Sequence, residues 1–393
     1  MGGNAFNATL PDASFPRMSP ELYQQLKADS AARLRRLFKT VGTPCEAPEK
    51  SDHGDIDFIV CEPIGDPSLD AMRIALGARH IIPLKGNRTS HFAIPLARDS
   101  GDGSYDSSQE LLQVDVHVCG TLAEWRRIMF YNSYGDMGMI LGVLTYTHGL
   151  SFSSSGLRLG DPLPTAPPCT FYLSDDMDQI LRFMGLSKAT WEEGFASIKD
   201  VFLWVASSPL WDHDRMVRVV TAQASNKERK RRDNRSMYRK FFEYAATFST
   251  HPARYVHKKW KEAAIDHFGK RDLYTAMLHI AQTKKNAKDL LSGEFITQWT
   301  GLHGLPVRSV KDEVKRQLGG EETVAVVSGI HLGSLQSDGI DPAHLRLRVW
   351  EESLSGKTVD DVEAVVMQAR EDLELEGRLY QEGNKRAIVA LGR

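Results

Sequence analysis

The chain has 393 residues, with 49 Lys and Arg against 51 Asp and Glu. A net charge of −2 leaves no global attraction to nucleic acid, so any such contact must come from a local patch. The length exceeds one compact core and points to two or three domains, while 41% hydrophobic and 25% charged residues are ordinary for a soluble globular protein.

Taken in chain order, Met1 to Phe6 lead through an irregular polar stretch to a helix. Ser19 suits its N-cap and Pro20 its first position, and Leu22, Leu26, Leu34, Leu37, Phe38 and Val41 recur at helical spacing until Gly42 stops it. A polar connection from Thr43 to His53 enters a strand, Asp55-Ile56-Asp57-Phe58-Ile59-Val60. A helix over Ser68–Leu76 follows, then strands near Arg79–Pro83 and His91–Leu96, an exposed turn at Asp99–Ser104, and a strand over Leu111–Cys119. Leu122–Tyr131 and Asp136–His148 read as helices, the second capped by Gly149. Pro162, Pro164, Pro167 and Pro168 can continue neither helix nor central strand, and so mark a domain boundary near residue 160. Beyond it the chain reads as helical at Asp176–Met184, Lys188–Glu193, Ile198–Ala206, Arg215–Thr247 and Ala253–Leu291. After about Gly301 come a helix over Val310–Leu318, a Gly/Ser-rich interruption around Gly329–Gly339 and an acidic helix over Val359–Gly377.

Three carboxylates in apolar strands are the most informative residues. Side chains alternate across a strand, so Asp55 and Asp57 share one face while Ile56, Phe58 and Val60 take the other. Asp115 and His117 repeat the arrangement among Val114, Val116 and Val118. If the two strands are neighbours, the acids converge and their repulsion raises their pKa values unless a cation neutralises them. Mg²⁺ fits, with Mn²⁺ as a substitute, because hard divalent ions prefer carboxylate oxygen and fill their shell with water and phosphate. Two such ions would serve phosphoryl or nucleotidyl transfer. His117 could touch a phosphate or orient a carboxylate, and reads first as a hydrogen-bonded sheet histidine.

These residues carry a resemblance. Gly2-Gly3, then a helix, then Gly54-Asp55-Ile56-Asp57 on a strand, then Val114-Asp115-Val116 resembles the DNA polymerase beta-like nucleotidyltransferase superfamily. Gly2-Gly3-Asn4-Ala5-Phe6, Asp52-His53-Gly54-Asp55-Ile56-Asp57, Tyr134-Gly135-Asp136 through Gly142 and His148-Gly149-Leu150 are similar to a group of fungal and phage nucleotidyltransferase-like proteins. The resemblance covers about the first 160 residues, with a weaker echo through Ile180–Leu186. It implies that Asp55 and Asp57 bind both metals and that Asp115 helps hold the one activating the acceptor hydroxyl. It implies, too, that Gly2, Gly3 and Asn4 approach the triphosphate of an NTP, although they lie some fifty residues before Asp55 and also read as a plain terminus. Lys85 and Arg88 could meet the triphosphate or be merely solvated. Tyr134 could line the nucleotide pocket, and helix capping by Asp136 explains the same letters.

The one concentrated positive stretch runs from Lys227 to Lys240. On a single helix, Tyr238, Phe241, Ala245 and Phe248 would form an apolar stripe, leaving Arg232, Arg235 and Arg239 on another face. That face suits an RNA backbone; a solvated surface or a nuclear-import address is the alternative. Four cysteines without CxxC spacing argue against a zinc knuckle or disulfide framework and for a reducing compartment. No apolar run approaches a membrane span, the N-terminus lacks the order of a signal peptide, and Phe6 occupies the Ser/Thr position of a myristoylation motif. The expected location is the cytoplasm, or else the nucleus, with no membrane partner.

The expected fold is α+β: a catalytic domain with a small mixed sheet over residues 1–160, a helical domain with an RNA-binding face over 161–300, and a helical extension over 301–393. The expected activity is Mg²⁺-dependent transfer of NMP from NTP to a hydroxyl, with a tRNA-like RNA 3′ end as preferred acceptor. A small molecule or protein side chain is the alternative acceptor, and a non-catalytic nucleotide- or RNA-binding protein the alternative class.

Overall fold

The computed structural model describes residues 3–84, 88–96, 110–221, 225–247, 259–325 and 342–379. The first helix, α1 (Pro20–Leu34), begins as expected, with the Ser19 side chain accepting from the Leu22 N–H and Pro20 at the start. It ends at Leu34 rather than Gly42. The next apolar residues form strand β1 (Phe38–Gly42), antiparallel to β2 (Asp55–Pro63), with Val41 opposite Val60. Leu37, Phe38 and Val41 satisfy a helical period, but pairing with β2 supplies backbone partners and buries Phe38, which is 1% exposed. Local periodicity cannot register a partner strand.

After β2 come α2 (Leu69–Leu76), capped by Ser68 and stopped by Gly77 at φ +71°, then β3 (His80–Pro83), β4 (Thr89–Pro95) and β5 (Leu111–Val118). The sheet runs β1-β2-β5-β4-β3 and is mixed: β2 and β5 are parallel and the other pairs antiparallel. On one face Ile56, Phe58, Val60, Phe92, Val114 and Val116 pack in a core with Tyr23, Leu34, Met72 and Leu76 of α1 and α2.

The opposite face is covered in two places. The segment preceding α1 sets Phe6, with Leu10 and Phe15, against Ala93 and Leu111. Helix α3 (Leu122–Asn132) sets Ile128, Trp125 and Met129 against Ile59, Cys61 and Cys119, and the Trp125 indole donates to the Ile59 carbonyl at 2.8 Å. The acids lie on this face in the stretch between the two covers.

Helix α4 (Met137–Tyr146) leads through Gly149 into strands absent from the sequence reading, β6 (Leu150–Ser153), β7 (Gly156–Leu159) and β8 (Tyr172–Ser174), which form an antiparallel sheet. Strands of three or four residues are too short to show a period. Among the described residues the helices that follow are α5 (Met177–Met184), α6 (Lys188–Glu193), α7 (Ile198–Ala206), α8 (His213–Thr221), α9 (Asn226–Asn234), α10 (Ser236–Thr247) and α11 (Trp260–His267). The single helix expected over Arg215–Thr247 is thus three helices. The Asp99–Ser104 turn, the start of the helix expected from Ala253, and the Gly329–Gly339 interruption lie outside the described residues.

By internal contacts the chain divides into two units, Met1–Gly160 with Tyr172–His267, and Asp161–Phe171 with Phe268–Arg393. The second contains α12 (Arg271–Leu290), α13 (Gly293–Thr300), α14 (Leu305–Gln317), a ladder of β9 (Thr323–Ala325) with β10 (Arg346–Arg348), and helices Val349–Ser353 and Val359–Leu375. Its core joins Leu291 and Ile296 to Val310, Val314, Trp350 and Val366, so helices on both sides of residue 300 share one interior. No helix among the described residues is long and apolar enough to cross a membrane.

Candidate active site

Parallel pairing of β2 with β5 places Asp57 beside Asp115 and Asp55 beside Gln113. On the other side of β5, His91 of β4 is the register partner of Asp115. Asp57, Asp115 and His91 therefore form a row across three strands, each step about 4.8 Å. Thr89 and His117 lie one step along the same face, and the Thr89 hydroxyl meets His117 Nδ1 at 2.8 Å, so His117 is the hydrogen-bonded sheet histidine the sequence suggested.

The acids are held from outside the strands. The Gly3 N–H donates to Asp55 Oδ2 at 3.1 Å. Gly3 has φ +89°, and a Cβ there would stand 2.3 Å from the Gly54 carbonyl oxygen, so only glycine allows this approach. Two residues on, the Ala5 N–H donates to Gln113 Oε1 at 3.0 Å. Gln113 Nε2 in turn donates to Asp115 Oδ1 at 2.9 Å, and His91 Nδ1 lies 2.7 Å from the same oxygen.

Dense surrounding protein, then the Asp55 and Asp115 charges, push the Asp57 carboxyl up to about 7. Asp57 itself stays open to solvent, so the repulsion is the part a cation would relieve. Burial also raises Asp115, against the pull of His91 and Gln113. Lys50 partly counters the rise at Asp57. It belongs to a cluster that the sequence reading passed over as a polar connection. Its ammonium lies 2.8 Å from Glu46 Oε2, Glu46 accepts from the Tyr23 hydroxyl, and the Tyr23 ring stacks on buried His53 with centroids 3.7 Å apart. The Glu46-x-x-x-Lys50 spacing was its only sequence signal.

The donor set is carboxylate oxygen, the chemistry a hard divalent ion prefers. Among the described residues no three His, Cys, Asp or Glu side chains close round one point as a ready-made ligand cage. A cation held by these acids would complete its shell from water and substrate, as Mg²⁺ ordinarily does.

The other expected site residues are dispersed. Gly2 and Lys85 lie outside the described residues, and Asn4 is exposed. Arg88 pairs with Glu124 of α3. Tyr134 is buried at 7% exposure with φ +58°; its N–H donates to the Cys45 carbonyl at 2.7 Å and its hydroxyl to the Trp191 carbonyl at 2.8 Å. The first bond fastens the connection before β2 to the α3–α4 junction, and the second ties that junction to α6.

Arg232, Arg235 and Arg239 do not share one helix face. Arg232, on α9, lies 3.9 Å over the Phe242 ring; Arg235 occupies the break between α9 and α10; Arg239, on α10, is 3.9 Å from Glu243. The break has a cause. Buried Asp136 makes no side-chain bond to its own helix, α4. Its carboxylate instead accepts from Arg235 Nη1 at 2.6 Å and from the Tyr238 N–H at 3.2 Å, capping the first turn of α10 from a distant element. Exposed positive charge in this stretch includes Arg229 and Lys230 of α9.

No family model matches the chain, and no curated protein matches it. Among solved structures, DNA polymerase beta of Leishmania infantum in a ternary gap complex is similar with a TM-score of 0.29 and 11% identity, over 37% of this chain and 51% of that one. The match takes in about half the length of that polymerase.

Proposed function

We propose that the protein is a nucleotidyltransferase that moves NMP from an NTP to a hydroxyl acceptor with the help of Mg²⁺. One observation carries this reading: Asp57 and Asp115 are register partners on adjacent parallel strands, and Asp55 shares their face two residues earlier. Burial, then the Asp55 and Asp115 charges, raise the Asp57 carboxyl, and a bound cation would relieve the part that is repulsion. Asp55, Asp57 and Asp115 would hold two divalent ions. When bound, these ions would sharpen the attacking hydroxyl and neutralise the charge of the departing pyrophosphate.

The chain's own groups would do the rest. Gly3 fixes Asp55 by its N–H. Lys50 lies within electrostatic reach of Asp57 and would offer positive charge to a triphosphate. RNA is the proposed acceptor, and exposed Arg229 and Lys230 on α9 support it as sequence-independent phosphate contacts.

The test is incorporation of labelled NTPs by the full chain with Mg²⁺, offered total RNA, protein and small-metabolite pools in parallel. Label in RNA that disappears in the Asp57→Asn protein supports the proposal. Label in protein or metabolites instead moves the acceptor, and no Asp57-dependent label in any pool removes the activity.

A further inference from the structure

The oxygens of Asp115 are treated unequally. Among the described residues, the bonds to this carboxylate fall on Oδ1: from Gln113 Nε2 at 2.9 Å and from His91 Nδ1 at 2.7 Å. With Asp115 ionised, as holding a cation requires, the carboxylate only accepts and His91 donates through Nδ1. The orientation of the Gln113 amide is forced as well. Its Oε1 accepts the Ala5 N–H at 3.0 Å, which leaves the NH₂ end to face Asp115. A reversed amide would set NH₂ against N–H and oxygen against carboxylate. Gln113 is 3% exposed, so water does not stand in for either partner.

We infer that His91 and Gln113 are positioning residues that pin Asp115 by Oδ1 and turn Oδ2 toward a divalent cation, and that the docked segment around Ala5 sets this orientation through Gln113. The inference rests on the metal-dependent reading above and goes beyond it, by assigning two residues outside the acid trio and a route from the N-terminal segment to the third acid. Groups that orient a ligating side chain typically change metal affinity by about 10–100-fold when removed. The pinned oxygen costs the site nothing, since one oxygen per carboxylate suffices for an octahedral ion that keeps its waters.

The decisive experiment measures Mn²⁺ binding to the full chain by electron paramagnetic resonance, beside thermal melts and steady-state kinetics. The variants at His91 are His91→Asn, whose amide N–H reproduces the position of Nδ1, and His91→Gln, whose N–H falls where Nε2 was. Both are polar and close in size, and differ in where the donor stands. Gln113→Met removes the amide and keeps the volume.

Expected are Mn²⁺ affinity at least tenfold weaker in His91→Gln and Gln113→Met, and affinity within about threefold of wild type in His91→Asn. The activity of the two weak variants should be regained at higher metal concentration, with KM for NTP unchanged at saturating metal. A purely structural role would move the melting temperature and not this metal dependence. Equal Mn²⁺ affinity in all the proteins overturns the inference, as does His91→Asn being as weak as His91→Gln. Wild-type protein whose Mn²⁺ binding does not respond to Asp57→Asn overturns the metal reading itself, and this inference with it.

Discussion

Asp57 and Asp115 occupy partner positions on parallel neighbouring strands, and after burial and Asp55 the Asp115 charge adds to the cost of ionising Asp57. Replacing Asp55, Asp57 or Asp115 singly with Asn should reduce NMP transfer at least a thousandfold, on the order of 4 kcal/mol of barrier. The fold should persist, because the acids serve the site rather than the core. Turnover and circular dichroism on each variant check this, and near wild-type turnover in any one removes that residue from the site.

The raised Asp57 carboxyl, lifted first by burial and then by the Asp55 and Asp115 charges, has a pH signature. Between an unfolded value of about 3.9 and a folded value of about 7, native Asp57 keeps a proton that the unfolded chain has released. The folded state binds more protons there, so Asp57 lowers stability as pH rises through that window and no further above it. The melting-temperature advantage of Asp57→Asn over metal-free wild type should therefore grow from pH 4 to pH 7 and then level off. Saturating Mg²⁺ at pH 8 should raise the wild-type melting temperature more than that of the variant. Parallel pH profiles of the two proteins would refute the assignment.

Gly3→Ala should be costly for two reasons at once. It places a Cβ 2.3 Å from a backbone oxygen and demands a positive φ from a residue that resists it. A stability loss of about 1–3 kcal/mol is expected, with activity falling at least tenfold as the bond to Asp55 is lost. Thermal melts and kinetics on the purified variant decide, and unchanged values would show that the segment tolerates undocking.

Charge reversal separates the structural arginine from the exposed cations. Arg235→Glu should cost about 2 kcal/mol, since it strands the Asp136 carboxylate that caps α10. Arg229→Glu with Lys230→Glu should leave the melt unchanged. That double variant should weaken RNA binding across sequences and flatten the salt slope by about 1.4 for two lost phosphate contacts. Titrations at several salt concentrations check this, and an unchanged slope would take α9 out of RNA binding.

Alternation of polar and apolar residues made β2 and β5 legible, with the acids opposite the Ile56, Phe58, Val114 and Val116 faces, because a period of two is a property of neighbouring residues alone. Ser19 announced its helix for the same reason: a cap acts within three residues. The true end of α1 was not legible, since Leu37, Phe38 and Val41 satisfy a helical repeat and become strand only when β2 lies alongside. Nor was the break at Arg235, which depends on a carboxylate 99 residues away. His91 and Gln113 look like ordinary strand residues in the sequence, and the register of three strands and a docked N-terminal segment brings them to Asp115. Local order follows from short-range sterics and hydrogen bonds, whereas contacts across the chain depend on which surfaces bury one another.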